Sequence, residues 1–405
     1  TTVSQDTGNP SADTKEAAEG QTEGETTEPE RIEPDAYFEP IQSNDTANWP
    51  QGPAVWAESA VVMDLDSGTF LYSKNMDVAK YPASITKILT TLIAIEHSRP
   101  SEKVTFSENA VYGIEQGSSN IGIRLGENLT MEDCLYGMML ESANEVCVAV
   151  AEHISGSEGD FVKKMNQKAA ELDMKNTHFV NCCGLDAEEH LTTARDVALM
   201  SRELLRNHPQ IHEYCTIWME NITHTTSKGS SEFGLTNTNK LIRQYEYATG
   251  LKTGSTGKAK FCVSATAEKN GVSLIAVIMG AEDSKARFKD AVTLLNYGFG
   301  KCQMYTDEKM PSLDPISVTG GIQESISLEY EKKFTYLDTT GANLNAVTSR
   351  LQIPDKVNAP VKKGDTVGQR IYYLDEKEIG SVNLLAEETV KKAGFFDYLR
   401  KALYW

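Results

Sequence analysis

The sequence predicts an α/β (α+β) domain with an antiparallel sheet and helices, then a small all-β sandwich-like domain and a C-terminal amphipathic helix. Three observations carry that reading. Residues 51–301 run in the order hairpin signal, block of helical patterns, second hairpin signal, closing helix, which suits an antiparallel sheet layered with helices. From 302 to 386 the texture changes to short alternating runs such as "ISVTGG", "ESISLEY" and "KFTYLDT", divided by turn residues. Residues 387–405 combine Phe395, Phe396, Leu399, Leu403 and Trp405 with Lys391, Lys392, Arg400 and Lys401.

Each element has its own local warrant. Residues 1–50 are rich in Glu, Thr, Gly and Pro and nearly free of large apolar groups, so they cannot bury enough surface to offset ordering entropy and are expected to form a disordered acidic tether. In "SAVVMDLDSGTFLYSKN", two apolar runs flank Asp66-Ser67-Gly68, a hairpin signal. "YPASITKILT" opens a helix whose Ile85, Ile88, Leu89, Leu92 and Ile93 make it apolar on most sides, as buried helices are. Residues 130–155, 160–174 and 193–208 read as helical, the last opening on a capping Thr193. Asn270-Gly271 between two β-rich runs is the strongest short hairpin signal in the chain, and a helix over 286–300 closes the unit. The basic, aromatic terminal helix suits a membrane interface; the alternative is a helix packed on its own β domain.

Composition excludes several functions. The 405-residue chain has a formal net charge of −19, about half of it in the first fifty residues, and no basic run, which argues against nucleic acid as a partner. No stretch is long and apolar enough to span a bilayer. The chain opens without Met or a signal-peptide pattern, which predicts a start after a processing site or cloning boundary. Seven cysteines lie at irregular spacings without CxxC, which argues against a disulfide framework and against a zinc site and leaves them as small buried hydrophobes. The adjacent Cys182-Cys183 reads as packing rather than redox chemistry.

Within the "SITK" helix, Ser84 and Lys87 stand three apart and share one helical face. A serine hydroxyl becomes a nucleophile when a base takes its proton, and a lysine serves as that base when its amine is neutral. S-x-x-K alone is expected roughly once or twice by chance in a chain this long. Two further motifs follow in order: Ser142-Ala143-Asn144, a hydroxyl for proton relay two residues from an orienting amide, and Lys252-Thr253-Gly254 at the start of a strand. A bulky side chain at Gly254 would obstruct a peptide approaching along that strand edge.

These triplets resemble those of the serine penicillin-interacting enzymes, and most closely the low-molecular-mass penicillin-binding proteins that act as D-alanyl-D-alanine carboxypeptidases. The likeness covers residues 55–300 in detail, including "GSSNIGIRLGE" and "HFVNCCGLDAEEHLTTARDVALM", and extends more loosely to the β domain and terminal helix. It implies a transpeptidase/β-lactamase-like fold, an acylated Ser84, Lys87 as general base and Ser142 as proton relay. It further implies that Asn144 holds the substrate amide and Lys87, that Lys252 supplies positive potential, and that Thr253, with Arg287, receives the substrate carboxylate. The oxyanion hole would be the backbone N–H groups of Ser84 and Ser255. No cofactor or metal is implied. The implied partners are peptidoglycan stem peptides, β-lactam inhibitors and a membrane surface reached through the terminal helix, in the bacterial cell envelope. Ala143 stands where other branches have Asp or Gly.

Other polar residues carry less. Asp186, Arg195, Asp196 and Asn239 read as structural, His178 and His190 receive no catalytic role, and three N-x-T triplets read as chance. A class A β-lactamase would need an E-x-x-L-N pattern between 145 and 250, which is absent. A DD-endopeptidase and a non-catalytic penicillin-binding sensor stand as the remaining alternatives.

Overall fold

The computed structural model describes residues 31–403 except Asn48 and Ser227. Its centre is a five-stranded antiparallel sheet of β1 (Ser59–Asp64), β2 (Phe70–Lys74), β3 (Ala248–Thr256), β4 (Lys260–Lys269) and β5 (Val272–Ala281). The spatial order is β2-β1-β5-β4-β3, so β3 is an edge strand. The hairpin between β4 and β5 turns at Asn270 and Gly271, both at positive φ, as expected from their sequence.

Both faces of this sheet are covered, so its inner strands β1 and β5 are buried at nearly every position. Val61, Met63, Ile275, Val277 and Met279 point into a core shared with the buried helix α1 (Lys87–His97), α2 (Met131–Met139), α3 (Asn144–Ser155), α4 (Glu158–Glu171) and α5 (Ala194–Asn207). Their neighbours Ala60, Val62, Leu274, Ala276 and Ile278 face α6 (Ser284–Lys301) through Ala291, Leu294 and Leu295. The caps are local: Thr193 accepts from Asp196 N–H to open α5, and Asp283 accepts from the N–H groups of Lys285 and Ala286 to open α6.

Three expectations change. The single helix read over 130–155 is two helices, broken at residues 140–143 where Ser142 takes φ 63°. The tether expected through residue 50 does not reach that far, because from Pro34 onward the chain packs on the sheet. Ala36 is buried, Lys74 Nζ donates to its carbonyl, and Trp49 Nε1 donates to Leu71 O at 2.8 Å. The rest of that expectation, residues 1–30, lies outside the described residues. The terminal helix starts at Phe395 rather than 387, since Val390 pairs with Val361, Lys392 pairs with Gly321, and Val390 is buried.

After α6 ends at Lys301 the chain is all-β as expected. A four-stranded antiparallel sheet built on Thr366–Leu374 and Lys377–Ala386 packs beside a three-stranded sheet through Val318, Ile326, Leu328, Leu384 and Val390. On the terminal helix, Phe395, Phe396, Tyr398 and Leu399 are exposed. Among the described residues no helix is long and apolar enough to cross a membrane.

Candidate active site

Ser84 sits in a single 3-10 turn, Ala83–Thr86, that runs directly into α1. Ala83 holds φ 52°, a left-handed conformation that costs a β-carbon residue roughly 1–2 kcal/mol. Ile88, Leu89, Leu92 and Ile93 on α1 are fully buried, and at about 1.5–3 kcal/mol each they outweigh that strain. The helix is thereby anchored with its first turn at the edge of β3.

Lys87 is wholly buried, and three oxygens surround its Nζ: Ser84 Oγ at 3.1 Å, Asn144 Oδ1 at 2.7 Å and the Cys183 carbonyl at 2.7 Å. Asn144 is the first residue of α3, and its own N–H donates to Ser119 O at 2.8 Å. The break at 140–143 is therefore what carries Ser142 and Asn144 into the site: an unbroken helix would have turned them elsewhere. Ser142 Oγ is buried and has no hydrogen-bond partner among the described residues.

From the other side comes β3. Gly254 lies so close to the nucleophile turn that a β-carbon there would stand 2.7 Å from Ser84 N and 2.9 Å from Ile85 N. The glycine is needed for this backbone-to-backbone approach, a tighter constraint than the clearance for a passing peptide expected from sequence. Lys252 is buried, and its Nζ donates to Thr253 O at 2.9 Å. Burial, and after it the neighbouring Lys87 and Arg287, push Lys252 well below the ordinary lysine range. Ser142 and Lys252 share the site with Lys87, but neither is hydrogen-bonded to it. Thr253 Oγ1 lies 2.9 Å from Thr238 Oγ1, and Ser255 is exposed.

Arg287 lies behind β3, close to Gly254. Its Nη1 donates to Gly254 O at 3.1 Å and Cys262 O at 3.2 Å, its Nη2 to Ser284 Oγ at 3.3 Å, and Phe261 and Phe288 flank the guanidinium. Only 7% of the residue is exposed, and burial lowers it to about 10. The guanidinium thus braces β3 from behind through the carbonyls of Gly254 and Cys262.

The sequence patterns of two families match this chain. That of D-alanyl-D-alanine carboxypeptidase matches residues 46–283, more than half of the chain, and that of the penicillin-binding protein 5 C-terminal domain matches residues 300–392. The chain belongs to the D-alanyl-D-alanine carboxypeptidase family. It is 36% identical over 353 residues to the D-alanyl-D-alanine carboxypeptidase DacF of Bacillus subtilis, covering 86% of this chain and 89% of that protein. It is 31% identical over 355 residues to DacA of Haemophilus influenzae, covering 86% and 88%. The solved structure of penicillin binding protein 5 from Haemophilus influenzae superposes with a TM-score of 0.70 at 28% identity, over 85% of this chain and 100% of that one. Membership bears out the expected fold and the expected enzyme class, a serine-type carboxypeptidase hydrolase.

In this carboxypeptidase, sequence reasoning gave no site role to the backbone of the loop that completes the site. Cys183 contributes its carbonyl, so no side-chain motif could have announced it. Gly184 follows at φ 92°, and a β-carbon on it would stand 1.9 Å from Ala83 O, so the loop lies directly against the nucleophile turn. Buried His190 ties the loop to that turn. Its Nδ1 accepts from Val180 N–H at 3.1 Å, which leaves the ring proton on Nε2 to donate to Thr86 Oγ1 at 2.9 Å. Asp186, at the loop's outer edge, accepts from Thr256 Oγ1 at 2.6 Å and Lys258 N–H at 3.2 Å, clasping it to the end of β3.

Proposed function

We propose that the protein removes the C-terminal D-alanine from peptidoglycan stem pentapeptides through an acyl-enzyme on Ser84. The observation that carries this reading is the set of oxygens around Lys87 Nζ. A neutral amine has two N–H groups and one lone pair. Asn144 Oδ1 and Cys183 O, each at 2.7 Å, take the two N–H groups, and the lone pair then faces the Ser84 hydroxyl at 3.1 Å. Burial, and after it the neighbouring Lys87, hold Lys252 well below the ordinary lysine range. The substrate carboxylate binds at Thr253, beside Lys252, and Lys87 acts as the base.

Ser84 Oγ then attacks the carbonyl of the penultimate D-alanine, and its proton passes to Lys87. The N–H groups of Ser84 and Ser255 receive the developing oxyanion. Ser142, whose buried hydroxyl is otherwise unpartnered, relays a proton to the leaving amine. Water hydrolyses the ester and restores Ser84. The substrate lies along the free edge of β3 as an added strand. β-Lactams acylate the same serine.

Exposure of Phe395, Phe396, Tyr398 and Leu399 supports a terminal helix resting on the outer face of the cytoplasmic membrane, next to the substrate. Incubation with a fluorescent penicillin, alongside Ser84→Ala, tests the nucleophile, and D-alanine release from a pentapeptide tests the reaction. An unlabelled wild-type protein refutes the mechanism. Labelling without D-alanine release leaves a penicillin-binding sensor.

A further inference from the structure

Behind the nucleophile's base, three side chains with metal-binding atoms meet. Glu158 is the first residue of α4, and its Oε1 accepts from Cys182 Sγ at 3.2 Å and from Cys182 N–H at 3.1 Å. Cys182 Sγ and Cys183 Sγ are 3.6 Å apart, and the ligand atoms of all three residues lie within 4.8 Å of one another. The two cysteines are buried and Glu158 is half-buried, so the carboxylate is the side from which an ion would enter.

We propose that Glu158, Cys182 and Cys183 form a binding site for a soft divalent cation of the zinc or cadmium class, coupled to the base of the active site. The distances support it. With metal–sulfur bonds of about 2.3 Å and a metal–oxygen bond of about 2.1 Å, tetrahedral ligands stand about 3.8 Å apart sulfur to sulfur and about 3.6 Å sulfur to oxygen. For these two pairs the observed 3.6 and 3.2 Å need shifts of only a few tenths of an ångström, and the third pair, Glu158 to Cys183, lies within 4.8 Å. Two thiolates and a carboxylate suit such a cation and leave its fourth position open. Binding converts two thiols to thiolates and releases two protons to solvent.

Coupling follows from what Cys183 already does. Its carbonyl accepts from Lys87, and its thiol lies 3.4 Å from the Asn144 carbonyl. Coordination removes the thiol proton that joins Cys183 to the start of α3 and pulls the residue toward α4, displacing two of the groups that place Lys87. The spacing of cysteines along the chain gave no sign of this site, because its carboxylate arrives from another element.

The site stands without the reading of Ser84; only the coupling rests on it, and the two are measured separately. The reduced full chain is titrated with cadmium ion, following the thiolate-to-cadmium charge-transfer absorption, and acylation by fluorescent penicillin is timed with and without the ion. One ion per chain and an acylation rate at least about tenfold lower are expected. Cys182→Ser and Glu158→Gln should each weaken binding by about tenfold or more, with circular dichroism showing that both variants are folded. No absorption band, or a band equally strong in both variants, overturns the site. A saturated site with an unchanged acylation rate overturns the coupling.

Discussion

Acidification should loosen the active-site loop through a single residue, His190. Burial, and then the neighbouring His178, lower it from 6.5 to about 4, with Asp186 opposing and Lys87 reinforcing the shift. A base depressed in the folded state binds its proton more weakly there than in the unfolded chain. The associated stability is therefore complete above 6.5 and is lost as pH falls toward 4. Linkage between these two values gives a loss of about 2 kcal/mol at pH 5 and about 3 kcal/mol at pH 4, relative to pH 7. The geometry explains the penalty. A second ring proton would sit on Nδ1, facing the Val180 N–H that now donates to it. Breaking that bond releases the segment carrying Cys183 and Gly184, so acylation should fall with stability. His190→Gln can accept from Val180 and donate to Thr86 without titrating. Denaturant unfolding between pH 4 and 7, with penicillin labelling at each pH, should show a flattened acid limb in the variant. An acid limb of equal depth in wild type and His190→Gln would refute the assignment.

Further outcomes follow from the same contacts. Gly254→Ala should lower acylation by about 10²-fold while the protein remains folded by circular dichroism, since its β-carbon meets the backbone of Ser84 and Ile85 and must displace the nucleophile. Asn144→Ala removes one of the two acceptors that orient Lys87, a hydrogen bond of about 0.5–1.5 kcal/mol, and should slow acylation about 2- to 10-fold in stopped-flow labelling. Asp283→Ala should destabilise the protein by about 1 kcal/mol in equilibrium unfolding, because it leaves the first N–H groups of α6 without their cap. Deletion of residues 388–405 should abolish sedimentation with anionic liposomes, and equal binding by the shortened chain would refute the interfacial role of the terminal helix.

What was legible in the sequence was local or repeated. The Asn270-Gly271 turn, the Thr193 cap and the all-round apolar face of α1 depend on neighbours a few residues away, and each was found where it was expected. Ser84 and Lys87 belong here too, because three residues of one helical turn set their approach. The break before Asn144 was not legible, since its flanks are good helix formers and the left-handed Ser142 is held by surrounding structure. Packing of residues 34–50 was equally hidden, because a polar segment was judged by its own apolar content while the sheet supplied an acceptor, a donor and the apolar floor.

The sequence by itself determined the kind of chemistry: a hydroxyl beside an amine, a relay hydroxyl, an orienting amide and a lysine-bearing strand, in that order. Only the tertiary structure decided how the amine is held. Its acceptors are a side chain 57 residues away and a backbone carbonyl 96 residues away. A carbonyl is common to every residue and carries no signature in sequence. It becomes specific only when folding brings it, with Gly184 against Ala83 and Gly254 against Ser84, to within bonding distance of one buried lysine.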